Sequence, residues 1–525
     1  MKYSFFCTNN YRKAPVVKGL LLMLLCVSTF TGCQKLLDID SSHAVAEKNM
    51  WNSHEDTRSA LIGVYGLMRA ALANNNAFWM YGELRDGDFA SVQRQDIDAI
   101  IKNNLHAPLD MLNDLSNWRR FYAVVNAANL FLEHVGDVKQ RDQRYSEQNM
   151  NVDVAQIRFL RAFAYFNMVR VWGDVPLITT SHDGDFVNKP RDKQATVLAF
   201  IEKELQAAAD YLPYNYSSDD PQQLGQYYNE GKDKWNGVLA RKLSAYALMA
   251  HVAAWQAKYS YVAAYTKFVI DNAGKGTISF ANSDQLTASN GFFSGRGGNN
   301  VISNHMIAFD FEFANGDASY SGHLEELTLA APLVSKRQPE IYVPKDTILG
   351  LFDQTVDDRF SLDSIKGEPT SDRYFTSFDS HTPIFSKIKV VQDGATSDPD
   401  FRLFGSAIIF TRLEEIALLR AEALAVLGDT GGAADLLNQI RDLRKLYHYN
   451  AEKEGDLINA IFRERRKELM GEGWRWFDII RYNKLKRNDA RFNQLIDQGG
   501  IYWPVAESLL SQNKLLVQNP YWINK

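Results

Sequence analysis

Residues 77–93 (AFWMYGELRDGDFASVQ) combine aromatic rings with charged side chains directly after three consecutive asparagines. A sugar offers hydroxyl groups for hydrogen bonds and C–H faces that lie flat on aromatic rings. A sugar-binding site therefore needs exposed rings beside carboxylate, amide or guanidinium groups. We predict ligand-binding residues in this segment and in the asparagines before it, and they are Asn75, Trp79, Tyr81, Arg85, Asp86 and Asp88.

A second aromatic group lies in the polar stretch 289–295, whose sequence is SNGFFSG. Rings in a glycine- and serine-rich loop are hard to place in a hydrophobic core, and long loops on a rigid scaffold commonly carry binding residues. We therefore predict that Phe292, Phe293 and Tyr320 are accessible and contact the ligand.

The charged block at 463–468 (RERRKE) invites a catalytic interpretation, because paired carboxylates about 5–10 Å apart hydrolyse glycosides. Charges three and four residues apart on one helix more often pair with each other or with neighbouring helices. We interpret Glu464, Glu468 and the arginines Arg463, Arg465 and Arg466 as structural salt bridges. We predict no catalytic residue.

The ten histidines form no HExxH motif, and the chain has neither a Walker loop nor a GxSxG elbow. The sequences Asp86-Gly87-Asp88 and Asp183-Gly184-Asp185 lack the remaining oxygen ligands of a calcium loop. We expect no cofactor and no metal, with a structural calcium ion as the alternative.

Residues 1–32 have the pattern of a lipoprotein signal peptide. Four basic residues precede or flank the short apolar run 19–27, and small residues lead into Cys33. Acylation of Cys33 would anchor the mature chain to a membrane. All three cysteines lie at or before position 33, so the mature body is expected to hold by burial without disulfides.

Removing residues 1–32 takes away four positive charges and no negative ones, so the formal net charge moves from -5 to -9. A mildly acidic body argues against nucleic acid as a partner.

The elements that must position these residues are mainly helices. In residues 407–446 two helical apolar periodicities are interrupted by Gly428-Asp429, with small residues at Ala421 and Ala433. This pattern favours a tetratricopeptide-like helical hairpin, which needs stacked neighbours to bury its apolar face. An ordinary antiparallel helix pair is the alternative.

The same periodicity predicts further helices at 55–74, 118–135, 152–172, 195–212 and 238–272, the last a hairpin. We predict a mostly α fold with one domain at 33–525. Its parts are a helical scaffold (55–272 and 406–485), an irregular, partly β insertion (273–405) with a half-buried strand at 307–313, and an extended tail (486–525).

Several separate motifs, in order along nearly the whole mature chain, resemble the SusD/RagB family of outer-membrane nutrient-binding lipoproteins. They are Cys33 followed by Leu37-Asp38, RFLRA at 158–162, WGDVPL at 172–177, DDRF at 357–360, LLRAEA at 418–423, ERRKEL at 464–469, EG at 472–473, RWFD at 475–478, Arg481, WPV at 503–505, Glu507 and QNP at 518–520. Phe30 before the cysteine, and WPV where Pro-Ile-Pro is commoner, depart from the family pattern.

The resemblance implies a non-catalytic, surface-exposed lipoprotein of the outer membrane that captures an oligosaccharide or polysaccharide. It also implies a SusC-like TonB-dependent transporter as partner, with the helical repeats facing the transporter and the irregular half carrying the ligand site. Part of Glu83-Leu84-Arg85-Asp86 is then structural, because the family shares a similar stretch. Two alternatives stay open: a peptide-binding member of the family, and a surface glycoside hydrolase that uses carboxylates of the insertion.

Overall fold

The computed structural model describes residues 50–181, 188–223, 225–294, 304–312, 316–319, 321–393 and 402–523. Cys33, Asp183-Gly184-Asp185 and Tyr320, all named above, lie outside these ranges. The chain divides into two units, Met1–Asn52 and Ser53–Lys525, and the second contains all of the elements below.

Ten helices of at least 12 residues form the frame within the described ranges. They are α1 His54–Ala73, α2 Arg119–Arg141, α3 Glu147–Trp172, α4 Gln194–Tyr211, α5 Lys242–Trp255, α6 Tyr259–Asn272, α7 Leu413–Leu427, α8 Thr430–Leu443, α9 Leu457–Glu468 and α10 Arg475–Lys486. Each helix from α1 to α8 packs against the next in sequence. The pair α6 and α7 obeys this rule although 140 residues separate them, so the helical stack continues across the insertion. This confirms the predicted helical-hairpin scaffold.

The helix α3 lies in the middle of the stack, and every side chain from Phe159 to Trp172 is buried. The Ser146 hydroxyl accepts the Asn149 amide hydrogen at its start, at 3.1 Å, as an N-cap does. It ends at Gly173, whose φ of 75° needs a residue without Cβ. The prediction of a buried helix over 152–172 is confirmed, although the helix begins five residues earlier.

The turn between α7 and α8 follows the sequence pattern closely. Gly428 has a φ of 91° and ends α7, while the Asp429 carboxylate accepts the Gly432 amide hydrogen at 3.0 Å and starts α8. Ala421 and Ala433 are fully buried with Leu437 in one cluster, where larger side chains would separate the helices.

The insertion is irregular, as predicted, and its short strands pair with each other or with two strands of the scaffold, at 90–91 and 408–409. The strands are β1 Ala90–Ser91, β2 Ala308–Phe309, β3 Ile341–Tyr342, β4 Ser361–Leu362, β5 Pro369–Ser371, β6 Phe375–Thr376, β7 Ile384–Phe385, β8 Val391–Asp393, β9 Arg402–Phe404 and β10 Ile408–Ile409. The antiparallel pairs are β1 with β3, β2 with β10, β4 with β5, β6 with β7, and β8 with β9.

Within the described residues, the strand predicted at 307–313 is only the two-residue β2, which pairs with the two-residue β10, and position 313 lies outside the described ranges. The predicted alternation holds nevertheless, since Phe309 and Phe311 are buried while Asp310 is half-exposed.

Short helices fill the connections. They are Ala77–Gly82, Gln95–Ile101, Asp110–Leu115, Lys232–Trp235, Ser283–Thr287, Leu324–Thr328, Lys345–Leu351, Ala451–Glu454, Ala490–Asp497 and Glu507–Gln512, with 3₁₀ turns at Asn74–Asn76, Tyr227–Asn229, Ala273–Gly276 and Pro520–Trp522. None of the described helices is long and apolar enough to cross a membrane.

The prediction of an extended tail at 486–525 is wrong in part, because three of these elements lie in it. The Asp489 carboxylate caps the helix Ala490–Asp497 by accepting the Phe492 amide hydrogen at 3.0 Å. The Phe492 ring packs on the Trp476 ring at 5.6 Å between centroids, so tertiary contact stabilises a helix too short to form alone.

Candidate functional site

Most predicted ligand-binding residues of segment 77–93 are buried, which corrects the expectation of exposed rings. Trp79 is 2% exposed, and its Nε1 donates to the Gly471 carbonyl oxygen at 3.0 Å. The Tyr81 hydroxyl donates to the Leu115 carbonyl oxygen at 2.6 Å, and its ring packs edge-on against Trp172 and Trp503. Both side chains satisfy their polar atoms inside the protein, as buried Trp and Tyr do.

The Arg85 guanidinium is fully buried and fixes the tail to the scaffold. It donates to the Ile501 carbonyl oxygen at 2.6 Å, to that of Gly500, and to the Asn103 side chain at 2.7 Å. It also lies over the Trp476 ring at 4.1 Å. Burial lowers its pKa to about 9. The structure therefore supports a structural role for this stretch.

The two aspartates of this segment differ in their exposure and in their arginine partners. Asp88 is 5% exposed, and both of its oxygens accept from Arg466. Asp86 is exposed and lies 3.3 Å from Arg491. The proposed calcium loop at 86–88 thus has one carboxylate already held by arginine.

Phe292 and Phe293 are 1% and 3% exposed, so the expectation that their loop leaves them accessible is wrong. Phe292 packs edge-on against His305 at 4.6 Å, and His305 Nε2 contacts the Phe292 carbonyl oxygen. The Phe293 carbonyl oxygen accepts the Ala407 amide hydrogen at 2.8 Å. Long-range contacts of this kind have no local sequence signal.

The charged block 463–468 forms structural ion pairs, which confirms that prediction. Glu468 is fully buried and accepts from Arg359, Arg412 and Arg444 at 2.7–3.0 Å. Burial raises the pKa of this carboxyl, but the three guanidinium groups outweigh it and hold the pKa well below its ordinary value. Glu464 is also fully buried and pairs with Arg359 at 2.8 Å.

Another buried carboxylate, Glu83, lies in the stretch 83–86 that the family resemblance implied to be partly structural, and it anchors a distant turn. Its two oxygens accept the amide hydrogens of Gly471 and Gly473 at 2.8 and 2.9 Å. Both glycines have positive φ, 80° and 75°, a backbone conformation typical of glycine. In the sequence, the two glycines on either side of Glu472 were the available signal for this turn.

Within the asparagine triplet, Asn74 is exposed, Asn75 is half-exposed and Asn76 is buried, and the triplet borders a polar surface formed with distant residues. We call Arg69, Asn75, Asn76, Asp114, Asp317 and Glu326 the Asn-turn surface. Asn75 and Asn76 adopt left-handed backbone angles, with φ of 55° and 52°, which asparagine tolerates better than most residues. Such strained positions cluster at functional sites.

Hydrogen bonds connect the triplet to the insertion. Asn76 Nδ2 and the Gly322 amide nitrogen both donate to Glu326 Oε2, at 3.1 and 3.0 Å. Asn75 Nδ2 lies 3.4 Å from Asp114 Oδ2 in an exposed contact. The triplet therefore sits where the scaffold meets residues 322–326 of the insertion.

Arg69, in the last turns of α1, completes this surface. It donates to the Asp310 carbonyl oxygen at 2.7 Å and to Asp317 Oδ1 at 3.0 Å, and it lies over the Phe311 ring at 4.9 Å. The side chains of Arg69 and Asp317 are 32% and 34% exposed. No sequence signal joins them, because 248 residues separate the two.

The Asn-turn surface offers guanidinium, carboxylate and amide groups to solvent on a fixed backbone. These groups hydrogen-bond hydroxyl-rich ligands. Of the predicted residues, the structure places Asn75 here, and Phe78, which is half-buried, lies two residues after the triplet.

One group of possible metal ligands occurs among the described residues: His54, Glu55 and Asp142, with ligand atoms within 4.8 Å of one another. Arg144 already donates to both carboxylates, at 2.8–3.1 Å. The arginine supplies the positive charge that a cation would otherwise provide.

Family models and relatives agree on the classification of the chain. A model described as the SusD family matches residues 389–522, and a model described as starch-binding and associating with the outer membrane matches residues 39–225. SusD-like protein P38 of Formosa agariphila is 26% identical over 529 residues, covering 95% of this chain and 98% of that protein.

Solved structures give the same result. A SusD superfamily protein of Bacteroides thetaiotaomicron is 45% identical with a TM-score of 0.82, covering 90% of this chain and 99% of that one. B. fragilis NanU, at 19% identity and a TM-score of 0.65, shares the fold. With such identity to a relative covered over nearly its full length, this chain belongs to the SusD family.

Proposed function

We propose that this protein is a non-catalytic glycan-binding lipoprotein that captures an oligosaccharide at the cell surface and presents it to a SusC-like TonB-dependent transporter. The family model described as starch-binding and associating with the outer membrane supports the ligand class and the location. The carboxylates that suggested catalysis at 463–468 are buried in ion pairs, which supports binding without turnover.

The single observation that carries the choice of site is the Asn-turn surface. At this surface a predicted ligand residue, Asn75, stays accessible beside Asp114, and the neighbouring Asn76 contacts Glu326 of the insertion. We propose that Asn75, Arg69 and Asp317 hydrogen-bond the sugar hydroxyls. The buried rings of Trp79, Phe292 and Phe293 support the fold by packing. We propose that the Tyr320 ring contacts the sugar.

Calorimetric titration with a panel of neutral oligosaccharides and a panel of peptides tests this function. We expect at least one oligosaccharide to bind, and the Asn75→Gly variant to weaken it about tenfold, the equivalent of roughly 1.4 kcal/mol. Glycine keeps the left-handed turn and removes only the amide. Asn229→Gly is the matched control, because Asn229 is also exposed with a positive φ of 59°.

Two outcomes would contradict the proposal. Binding of peptides with no oligosaccharide bound would favour the peptide-binding alternative. Equal affinity in the Asn75→Gly and Asn229→Gly variants would show that the ligand binds elsewhere.

The anchor and the partner are tested in cells. We expect the intact protein in the outer-membrane fraction, where it co-purifies with a TonB-dependent transporter. A Cys33→Ser variant should be lost from the membrane, because its acyl chains supply the attachment. Membrane retention of Cys33→Ser would contradict the proposed lipoprotein.

A further inference from the structure

A cleft of about 660 Å³ lies beside α9, α10 and the helix Ala490–Asp497. Four arginines line it: Arg463, Arg466, Arg475 and Arg491. The ring of Phe462 and the amide of Asn459 also line it. The cleft shares no residue with the Asn-turn surface, and its volume lies in the range of small-molecule sites.

The aspartates that line this cleft already have partners. Asp478 accepts from Arg465 at 2.8 Å and pairs with Arg481 at 2.9 Å, both outside the cleft lining. The Asp489 carboxylate caps a helix through the Phe492 amide hydrogen. Asp86 is the remaining acid of the lining, 3.3 Å from Arg491.

The Arg475 guanidinium has few hydrogen-bond acceptors around it. Its one ion pair among the described residues joins Nε to Asp88 Oδ2 at 3.3 Å, and Arg466 already occupies both Asp88 oxygens. Nε is buried without a hydrogen-bond partner in the described part of the chain. Burial lowers the pKa of this guanidinium, and the neighbouring Arg466 charge lowers it further.

Two other arginines leave donors available. Arg463 makes both of its hydrogen bonds, to the Gly350 carbonyl oxygen and to Asp353, through one terminal nitrogen. The Arg491 side chain is 78% exposed and, among the described residues, makes one contact, to Asp86. A guanidinium has five N–H donors, so each of these side chains has donors to spare.

We infer that this cleft is a second binding site, one that takes a small molecule bearing an oxyanion, whether a carboxylate, a sulfate or a phosphate group. Guanidinium groups bind such anions through paired N–H donors. A bound oxyanion would accept from Arg475 and compensate its desolvated charge. The Phe462 ring and the Asn459 amide suit the remainder of a polar ligand such as an acidic sugar.

Calorimetry at constant ionic strength tests this inference with three probes: sodium glucuronate, sodium sulfate and sodium phosphate. We expect saturable binding of at least one anion and no binding of glucose at this cleft. Arg475→Gln should weaken the anion about tenfold, because charge-assisted hydrogen bonds are lost. The tightest of the three probes identifies which oxyanion the cleft takes.

Two further variants keep the test decisive. Arg491→Gln changes an exposed side chain that does not support the fold, and it should weaken the anion about threefold by removing one guanidinium. Arg119→Gln removes an exposed arginine outside the cleft and should leave the affinity unchanged.

Lack of saturable binding by all three anions would overturn the inference, as would unchanged affinity in both cleft variants. Neutral oligosaccharide binding at the Asn-turn surface should persist in Arg475→Gln and Arg491→Gln. Failure of the anion site is therefore distinguishable from failure of the proposed glycan function.

Discussion

At the scale of single residues, buried charges position much of this molecule. Glu468 holds three arginines that come from the insertion, from the start of α7 and from the end of α8. Glu83 binds two glycine amides, and Arg85 binds tail carbonyl oxygens. Each of these side chains joins segments that are distant in sequence, so each is a structural link between scaffold, insertion and tail.

Replacing Glu468 by Gln should lower the free energy of unfolding by about 3–5 kcal/mol, because it leaves buried guanidinium groups without their shared anion. Urea denaturation measures this change. Glu452→Gln is the control, since Glu452 is exposed and its replacement should cost less than about 0.5 kcal/mol. A loss below 1 kcal/mol at Glu468 would mean that the buried network contributes little.

Glu325 makes stability depend on pH. Burial raises its pKa to about 7, although Ser406 and the Val390 amide donate to it. A carboxyl with a raised pKa binds its proton more tightly in the folded state, so its contribution is fully present below pH 4.5 and is lost as pH rises towards 7.

Urea denaturation at pH 5 and pH 8 measures this contribution when wild type is compared with Glu325→Gln. We expect the wild type to lose about 1–3 kcal/mol more than the variant over this interval. His323 contributes to the pH dependence with the opposite sign, because burial lowers its pKa to about 4. It titrates in both proteins, so the comparison cancels its contribution. Equal losses in the two proteins would show that Glu325 does not cause this pH dependence of stability.

At the scale of elements, the α7–α8 hairpin shows how local chemistry defines a turn. Gly428 ends one helix with a φ of 91°, and Asp429 caps the next. Gly428→Ala should lower the free energy of unfolding by about 1–2 kcal/mol, because a Cβ disfavours the left-handed conformation. No atom lies within 4 Å of the added Cβ, so backbone strain is the only cost expected.

Gly431→Ala is the matched control for this prediction. Gly431 lies in the first turn of α8 with open space around it, and alanine favours a helix over glycine by about 0.5–1 kcal/mol. The two glycine replacements should therefore act in opposite directions in thermal unfolding. Equal effects would show that the turn geometry does not limit stability.

The long helices were predictable because apolar periodicity, caps and breakers are local. The predicted helix at 195–212 differs by one residue at each end from α4. The burial of Trp79 was not predictable in the same way, because its partner Gly471 lies 392 residues away. The Asn-turn surface likewise depends on pairs, such as Arg69 with Asp317, that no local pattern connects.

At the scale of the whole molecule, the helical stack runs without a break across the insertion, so the insertion can vary without interrupting the core. Irregular segments on a rigid scaffold commonly carry binding residues. In this chain the frame supplies Arg69 and the asparagine triplet, and the insertion supplies Asp317 and Glu326. Under the proposed function, ligand choice would depend on both the insertion and this helical edge.

The central claim, capture of a glycan without chemical change, is tested most directly by equilibrium dialysis against a mixture of neutral oligosaccharides. Chromatography of both chambers then reports the amount and the chain length of each sugar. We predict that specific oligosaccharides accumulate on the protein side and are recovered at their original length. Equal concentrations in the two chambers, or the appearance of shorter products, would contradict the account.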